Sequence, residues 1–363
     1  MGFVCGIIGL PNAGKSTIFN ALSSAKAQVA SYPFCTIQPN QGMVPVPDGR
    51  LEKLAKMLKP EKVTPTILEF WDIAGLVKGA SQGEGLGNQF LGHIRNVDAL
   101  AHVVRCFEAE SVTHVYAHLD PKRDIEIVQT ELILADLQTV EKRLSKDSHQ
   151  AKVGDKKAAA EVPVLKAIED RLVKGLPAAG LSFNEEGQRV LQSLELLTAK
   201  PVLYVANASE KELKERRLIS QVQNLAAREK APVVVICGDL EAEMAELAAG
   251  ERDEFLRELG LSEPALNQLI RAGYGLLNLI TFYTTVGPEL RAWTVPRGTH
   301  VPQAAGKIHT DMERGFIRAE VISCQDFFAA GSMALAKEKG VLRVEGKDYL
   351  VQDGDILYIR FHV

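Results

Sequence analysis

Residues 9–16 read Gly-Leu-Pro-Asn-Ala-Gly-Lys-Ser, and residues 72–75 read Asp-Ile-Ala-Gly. The first stretch satisfies G-x-x-x-x-G-K-[ST]. Its glycines let backbone N–H groups turn toward an anion, and a helix N-terminus behind them adds positive potential. Lys15 can then reach the β- and γ-phosphates of a nucleoside triphosphate, while the Ser16 hydroxyl ligates Mg²⁺. In the second stretch Asp72 holds the same Mg²⁺ through water, and the Gly75 amide senses the γ-phosphate. A D-x-x-G alone occurs often by chance. Together with the phosphate loop it is specific, and it argues against a small-molecule kinase, which needs no γ-phosphate sensor there. Between the two motifs Thr36 is placed to complete the Mg²⁺ shell. Residues 79–87 contain four glycines. They either reorder with the γ-phosphate or form a plain surface loop.

These residues need elements to hold them. Residues 3–8 read as a short buried strand, followed by a glycine turn and a helix over about 15–25. Further apolar strands are expected at 66–73, 99–106, 202–206 and 233–237, with helical stretches between them. Buried strands alternating with helices predict an α/β fold with a parallel sheet covered on both faces. In such sheets ligands sit at the carboxyl ends of the strands. Gly9, Asp72, Asn207 and Gly238 all fall just after expected strands, so they can converge.

The alternation breaks at about residues 124–198. Ile125, Val128, Leu132 and Ala135 keep helical spacing, and Val140 and Leu144 continue the stripe. Residues 145–157 are polar and aperiodic, and a second helical stretch begins near Ala158. An inserted helical hairpin is expected. Residues 142–174 hold nine Lys or Arg against five Asp or Glu, either a solvated face or a surface for RNA or an acidic partner. After Leu279 short segments are expected at 290–295, 315–322, 341–344, 348–352 and 356–361, separated by Gly and Asp turns: a small β-rich domain. The expected domains are therefore 1–123 with 199–278 for nucleotide, 124–198 for the helical insert and 279–363 for the β-rich part.

The chain has 363 residues, 46% hydrophobic and 24% charged, an ordinary globular balance that supports more than one domain. A net charge of −4 leaves nucleic-acid binding to a local patch. The five cysteines are scattered and contain no C-x-x-C pair, which suits a reducing cytosol rather than a disulfide framework or zinc cluster. No signal peptide or membrane span is expected, so a cytoplasmic protein is.

Residues 9–17, 72–81 and 83–90, with His102-Val-Val-Arg-Cys-Phe107, Arg291-Ala-Trp-Thr294 and the stretch 345–355, together resemble the YchF family, an Obg-related branch of the translation-factor class of P-loop NTPases. The resemblance covers nearly the whole chain. It implies a nucleotide domain, an inserted helical domain and a C-terminal TGS domain of β-grasp type. It implies that Asn12, Ala13, Gly14, Lys15, Ser16 and Thr17 line the nucleotide, with Mg²⁺ on Ser16, Thr36 and Asp72. It also implies an unusual base preference. Most relatives read guanine with N-K-x-D, whereas Asn207-Ala208-Ser209-Glu210 lacks the Lys and has Glu for Asp. The guanine clamp should be weak, and ATP should bind and be hydrolysed at least as well as GTP. Cys237-Gly238-Asp239 departs somewhat from the family's Ser/Cys-Ala form.

Leu76 stands where Ras-like relatives carry a water-orienting Gln, so intrinsic hydrolysis should be slow. Two helpers are expected. His114 corresponds to a histidine proposed to act in the family, although a lone His is often only structural. Asn12 occupies the position that helps cation-activated relatives to hold K⁺. Cys35, beside Thr36, is either an inert thiol or a redox-sensitive one. The functional expectation is a slow, nucleotide-controlled ATPase switch, a monomer that binds the ribosome or its large subunit and regulates translation or a stress response. Against it stand two alternatives: an RNA- or protein-binding module with incidental hydrolysis, and a true GTPase.

Overall fold

The computed structural model describes residues 3–24, 40–73, 86–108 and 118–362. The chain divides into two compact units, Met1–Val44 with Glu69–Gly273 and Pro45–Leu68 with Tyr274–Val363.

In chain order the elements run β1 (Val4–Ile8), α1 (Lys15–Ser24), β2 (Gln41–Pro45), α2 (Gly49–Leu58), β3 (Lys62–Thr64), β4 (Ile67–Asp72), α3 (Leu86–Arg95), β5 (Ala99–Cys106), α4 (Pro121–Lys152), α5 (Lys156–Val173) and α6 (Glu185–Ser193). There follow β6 (Val202–Ala208), α7 (Glu210–Glu215), α8 (Arg217–Glu229), β7 (Val233–Ile236), α9 (Gly238–Glu246), α10 (Ala249–Glu258) and α11 (Ala265–Leu276). The chain closes with β8 (Leu279–Val286), β9 (Glu289–Pro296), α12 (Val301–Ile308), α13 (Thr310–Arg314), β10 (Phe316–Ser323), α14 (Cys324–Ala330), α15 (Met333–Glu338), β11 (Arg343–Glu345) and β12 (Asp355–Phe361).

The first unit is built on a sheet of order β2-β4-β1-β5-β6-β7. β1 pairs parallel with β4 and β5, β5 with β6, and β6 with β7. β1 and β5 are buried along their whole length, which is why they read as continuous apolar runs rather than alternating ones. The sequence did not suggest β2. It lies at the sheet edge, with the Asp72 amide donating to the Asn40 carbonyl at 2.9 Å. Ile8, Leu10 and Leu100 pack with Val128, Leu132 and Ala135 of α4, while Val104, Cys106 and Tyr204 pack with Ile219 and Val222 of α8.

α4 is longer than its apolar stripe suggests. Asp120 caps it by accepting from the Arg123 amide at 3.1 Å, and Pro121 occupies its first turn. It then runs unbroken to Lys152, through most of the polar stretch expected to be aperiodic. There the inward face carries Asp147 instead of an aliphatic residue, held by Arg143 at 2.6 Å. A hydrophobic period cannot register a buried ion pair. α5 returns alongside, capped by Asp155, and Ile133 and Val140 meet its Leu165, Ile168 and Leu172. Asp136, fully buried on α4, accepts from the Leu197 and Thr198 amides at 2.8 Å each, which fixes the chain where it leaves the insert.

The second unit is built on a sheet of order β11-β10-β12-β8-β9-β3. α2 and β3, which the sequence left inside the nucleotide segment, belong to this unit, β3 pairing parallel with β9. Helices α12 to α15 lie among strands where only short segments and turns were expected. Their inward residues, such as Val301, Ala304 and Ala305 of α12 and Phe327 and Ala330 of α14, are too few in each short helix to establish a helical period. The segment 348–352 contributes one isolated bridge, His300 to Leu350, rather than a strand. No helix among the described residues is long and apolar enough to cross a membrane.

Candidate functional site

The loop after β1 is shaped by two glycines. Gly9 has φ 148° and Gly14 φ 90°. A Cβ on Gly9 would stand 2.3 Å from the Val103 carbonyl oxygen, and one on Gly14 only 2.0 Å from Asn207 Nδ2. No other residue fits either position. Asn12 also adopts the left-handed region, at φ 62°, which Asn tolerates better than most side chains. The loop feeds directly into α1, whose first N–H groups have no acceptor within a helix.

Lys15 opens α1 and is buried, with Nζ donating to the Leu10 carbonyl at 2.9 Å. Burial pulls its pKa below the usual lysine value, and the Asp72 carboxylate opposes that shift. Ser16 Oγ donates to Asp72 Oδ2 at 3.0 Å. The other carboxylate oxygen, Asp72 Oδ1, is buried and has no hydrogen-bond partner among the described residues. A buried carboxylate oxygen without a donor is costly unless something positive meets it. A hydroxyl and a carboxylate together are also the hard oxygen donors that Mg²⁺ prefers. The Ser16 hydroxyl and the Asp72 carboxylate therefore fit a Mg²⁺ ion.

At the other side of the loop Asn207, the penultimate residue of β6, is buried. Its Nδ2 donates to the Ala13 carbonyl at 3.0 Å, and its Oδ1 accepts from the Gly238 amide at 3.0 Å. The sequence placed Asn207 at the base. Its amide joins the phosphate loop to the turn that starts α9. Ala208 is buried, Ser209 caps α7 by accepting from the Glu212 amide, and Glu210 stands exposed as the first residue of α7. Glu210 and Asp239 lie near enough to Cys237 to act on its thiol, which is raised first by burial and then by Asp239 and Glu210 against opposing backbone hydrogen bonds. Both carboxylates thus sit at the carboxyl ends of β6 and β7.

His102, which the sequence pattern did not single out, lies on β5 beside Ile8 of β1. Its ring centre is 5.5 Å from that of Tyr204. Burial, with the Lys15 charge adding to it, pulls its pKa down to about 3. It is a neutral core histidine under the loop rather than a proton carrier. The unbroken apolar run around it was the available signal. Thr36, Gly75, Leu76, His114 and Cys35 lie outside the described residues, as do residues 79–85. Leu86 and Gly87, the end of the glycine-rich stretch, are in the first turn of α3. Cys5, Cys106, Cys237 and Cys324 are buried free thiols. Burial pushes Cys5 and Cys106 up to about 12.

Comparison with known proteins supplies the context for this geometry. Residues 4–135 match a family model described as a 50S ribosome-binding GTPase, and residues 279–362 match the YchF GTPase C-terminal family model, described as a protein of unknown function. The chain is 51% identical over 366 residues to a protein of Bacillus subtilis named ribosome-binding ATPase YchF, and 52% identical over 363 residues to one of the same name from Escherichia coli. In both cases all of this chain and all of the relative are covered. The solved structure of the Schizosaccharomyces pombe YchF GTPase superposes with a TM-score of 0.90 at 34% identity, covering 99% of this chain and 98% of that one.

Proposed function

The chain belongs to the YchF family, and from that premise we propose that it is a Mg²⁺-dependent ATPase that binds the ribosome and acts as a slow nucleotide-controlled switch. The observation that carries the hydrolase reading is the Ser16–Asp72 pair with its unsatisfied buried oxygen next to Lys15. The ribosome part rests on the names of the relatives at half identity over their full length.

When bound, Mg²⁺ neutralises charge on the β- and γ-phosphate oxygens. The protein's own residues do the positioning. Backbone amides of 12–17 surround the phosphates, with Lys15 supplying a desolvated cation that is stronger than one in water. Thr36 and the Gly75 amide complete the shell and read the γ-phosphate. Leu76 offers no polar atom to orient water, so turnover is slow, and His114 or a K⁺ ion held near Asn12 supplies the missing help. Equal turnover in matched Na⁺ and K⁺ buffers would remove the K⁺ part.

ATP preference follows from the base side. Without a Lys at position 208, and with Glu210 exposed in place of a shorter Asp, little fixes guanine. Calorimetry with ATP and GTP, each with Mg²⁺, tests this on the wild type and on Ala208→Lys with Glu210→Asp. The wild type should prefer ATP and the double variant should gain GTP. An outright preference of the wild type for GTP would make the chain a slow GTPase with an atypical base clamp.

A further inference from the structure

A cleft of about 360 Å³ lies within the first unit, between the C-terminal part of α1 and helices α9, α10 and α11. That size falls in the range of small-molecule pockets, about 300–1,000 Å³. The cleft is separate from the nucleotide site. Ala21, Leu22 and Ser24 reach it from α1, which places it about 9–14 Å along that helix from Lys15. α9, which supplies Met244, begins at the turn that Asn207 ties to the phosphate loop.

The walls are aliphatic. Leu22, Met244, Leu266 and Ile270 form them, and no aromatic ring lines the cleft among the described residues. Such walls suit a flexible chain rather than a planar ring, which gains from stacking. Arg252 and Asn267 supply the polar side. Arg252 is held in place by neutral groups, Nε donating to the Met244 carbonyl at 3.0 Å and Nη2 to the Leu247 carbonyl at 3.2 Å. No acid forms an ion pair with it among the described residues, and the side-chain amide of Asn267 has no hydrogen-bond partner among them. The acid of the lining, Glu241, is buried, and its Oε1 accepts from the Ala265 amide at 2.7 Å at the start of α11. Burial pushes its carboxyl above the usual range, against the Ala265 and Leu266 amides and the more distant Arg252 charge. The negative charge of the lining is thus spent on a helix start, while its positive charge is left facing carbonyls.

We propose that this cleft is a second small-molecule site that takes an aliphatic carboxylate, its chain against Leu22, Met244 and Ile270 and its head on Arg252 and Asn267. A guanidinium carries more N–H donors than the two bound to carbonyls here, and the Asn267 amide adds further ones. Both can meet a carboxylate, and a hydrogen bond from a cation to an anion is the stronger kind. An amine head would meet Arg252 as a like charge. A wholly apolar ligand would desolvate Arg252 and Asn267 without replacing their water.

The test is a titration of the full chain with octanoate, followed by the methyl resonances of its methionines, with Met244 assigned through Met244→Leu. No nucleotide is added, so the outcome does not depend on the ATPase reading. The Met244 resonance should shift and saturate with a Kd of about 0.1–1 mM, the range open to so small a ligand. Octylamine should bind at least about tenfold more weakly. Arg252→Gln should weaken octanoate by about tenfold or more, and Asn267→Leu by about threefold, with the thermal midpoint and ATP turnover of Asn267→Leu as in the wild type. Should Arg252→Gln fail to fold, because it frees the Met244 and Leu247 carbonyls, the milder Asn267→Leu decides. A Met244 resonance that stays in place at about 10 mM octanoate would overturn the proposal. So would equal binding of octylamine, or an unchanged octanoate affinity in Asn267→Leu.

Discussion

In the second unit Asp48, Arg50, Tyr283 and Asp353 form a cluster whose charged groups are engaged with one another. Arg50 Nε meets Asp48 at 3.0 Å, Arg50 Nη1 meets Asp353 at 2.9 Å, the Tyr283 hydroxyl donates to Asp48, and the Thr281 amide donates to Asp353 at 2.9 Å. The phosphate loop of the first unit is also built from charged side chains and tight turns, but among the described residues it leaves Asp72 Oδ1 buried and unmet, Ser16 exposed and Lys15 desolvated. Buried polar groups are normally satisfied, so the difference separates a region built for stability from one built to receive a ligand. Two clusters of similar composition have opposite purposes, and the hydrogen-bond inventory distinguishes them.

Three substitutions can break or sharpen that contrast. Lys15→Ala should have the largest effect, lowering ATP turnover by about 100-fold or more while the thermal midpoint holds, because it removes a group that acts on ligand charge. A loss of fold instead would put Lys15 with the structural cluster. Asn207→Ala is intermediate between the two regions. It leaves the Ala13 carbonyl and the Gly238 amide buried without their partner, at about 1–3 kcal/mol each. Denaturant unfolding should show a loss of that order, together with weaker ATP binding. Loss of one without the other would mean that Asn207 does not join the loop to the α9 turn.

The smallest effect concerns pH. Burial alone would raise the Asp48 carboxyl, but hydrogen bonds from Arg50 and Tyr283 outweigh it and hold it below its ordinary value of 3.8. A depressed carboxylate contributes stability that is present above the ordinary value and is lost as pH falls through the lower, folded one. Asp48→Asn should therefore flatten the acid limb of the stability curve below about pH 3.8. An acid limb as steep as that of the wild type would show that the cluster does not hold its charge.

The sequence revealed the two regions unequally. Lys15, Ser16 and Asp72 were legible because a chemical pattern ties residue type to spacing. The strands behind them were legible because short continuous apolar runs bounded by turn residues belong in a sheet buried on both faces. The Arg50 cluster was not, since Asp48 and Asp353 are far apart in the chain and charged residues near turns look solvated. The same limit hid the reach of α4, whose inward Asp147 breaks the apolar stripe, and the two loop contacts of Asn207. The motif identified Asn207 as important, but residue type and spacing could not show that its amide ties the phosphate loop to the α9 turn.

The central claim is that Asp72 Oδ1 is left unmet because a Mg²⁺-bearing nucleotide completes it. The most direct measurement is a Mg²⁺ titration of ATP hydrolysis by the wild type and Asp72→Asn, with denaturant stability measured in parallel without nucleotide. The account predicts that the variant needs on the order of tenfold more Mg²⁺ and turns over more slowly, while its stability stays within about 1 kcal/mol of the wild type. An unchanged Mg²⁺ dependence with a large loss of stability would make Asp72 a structural carboxylate like Asp48, and the contrast between the two regions would fail.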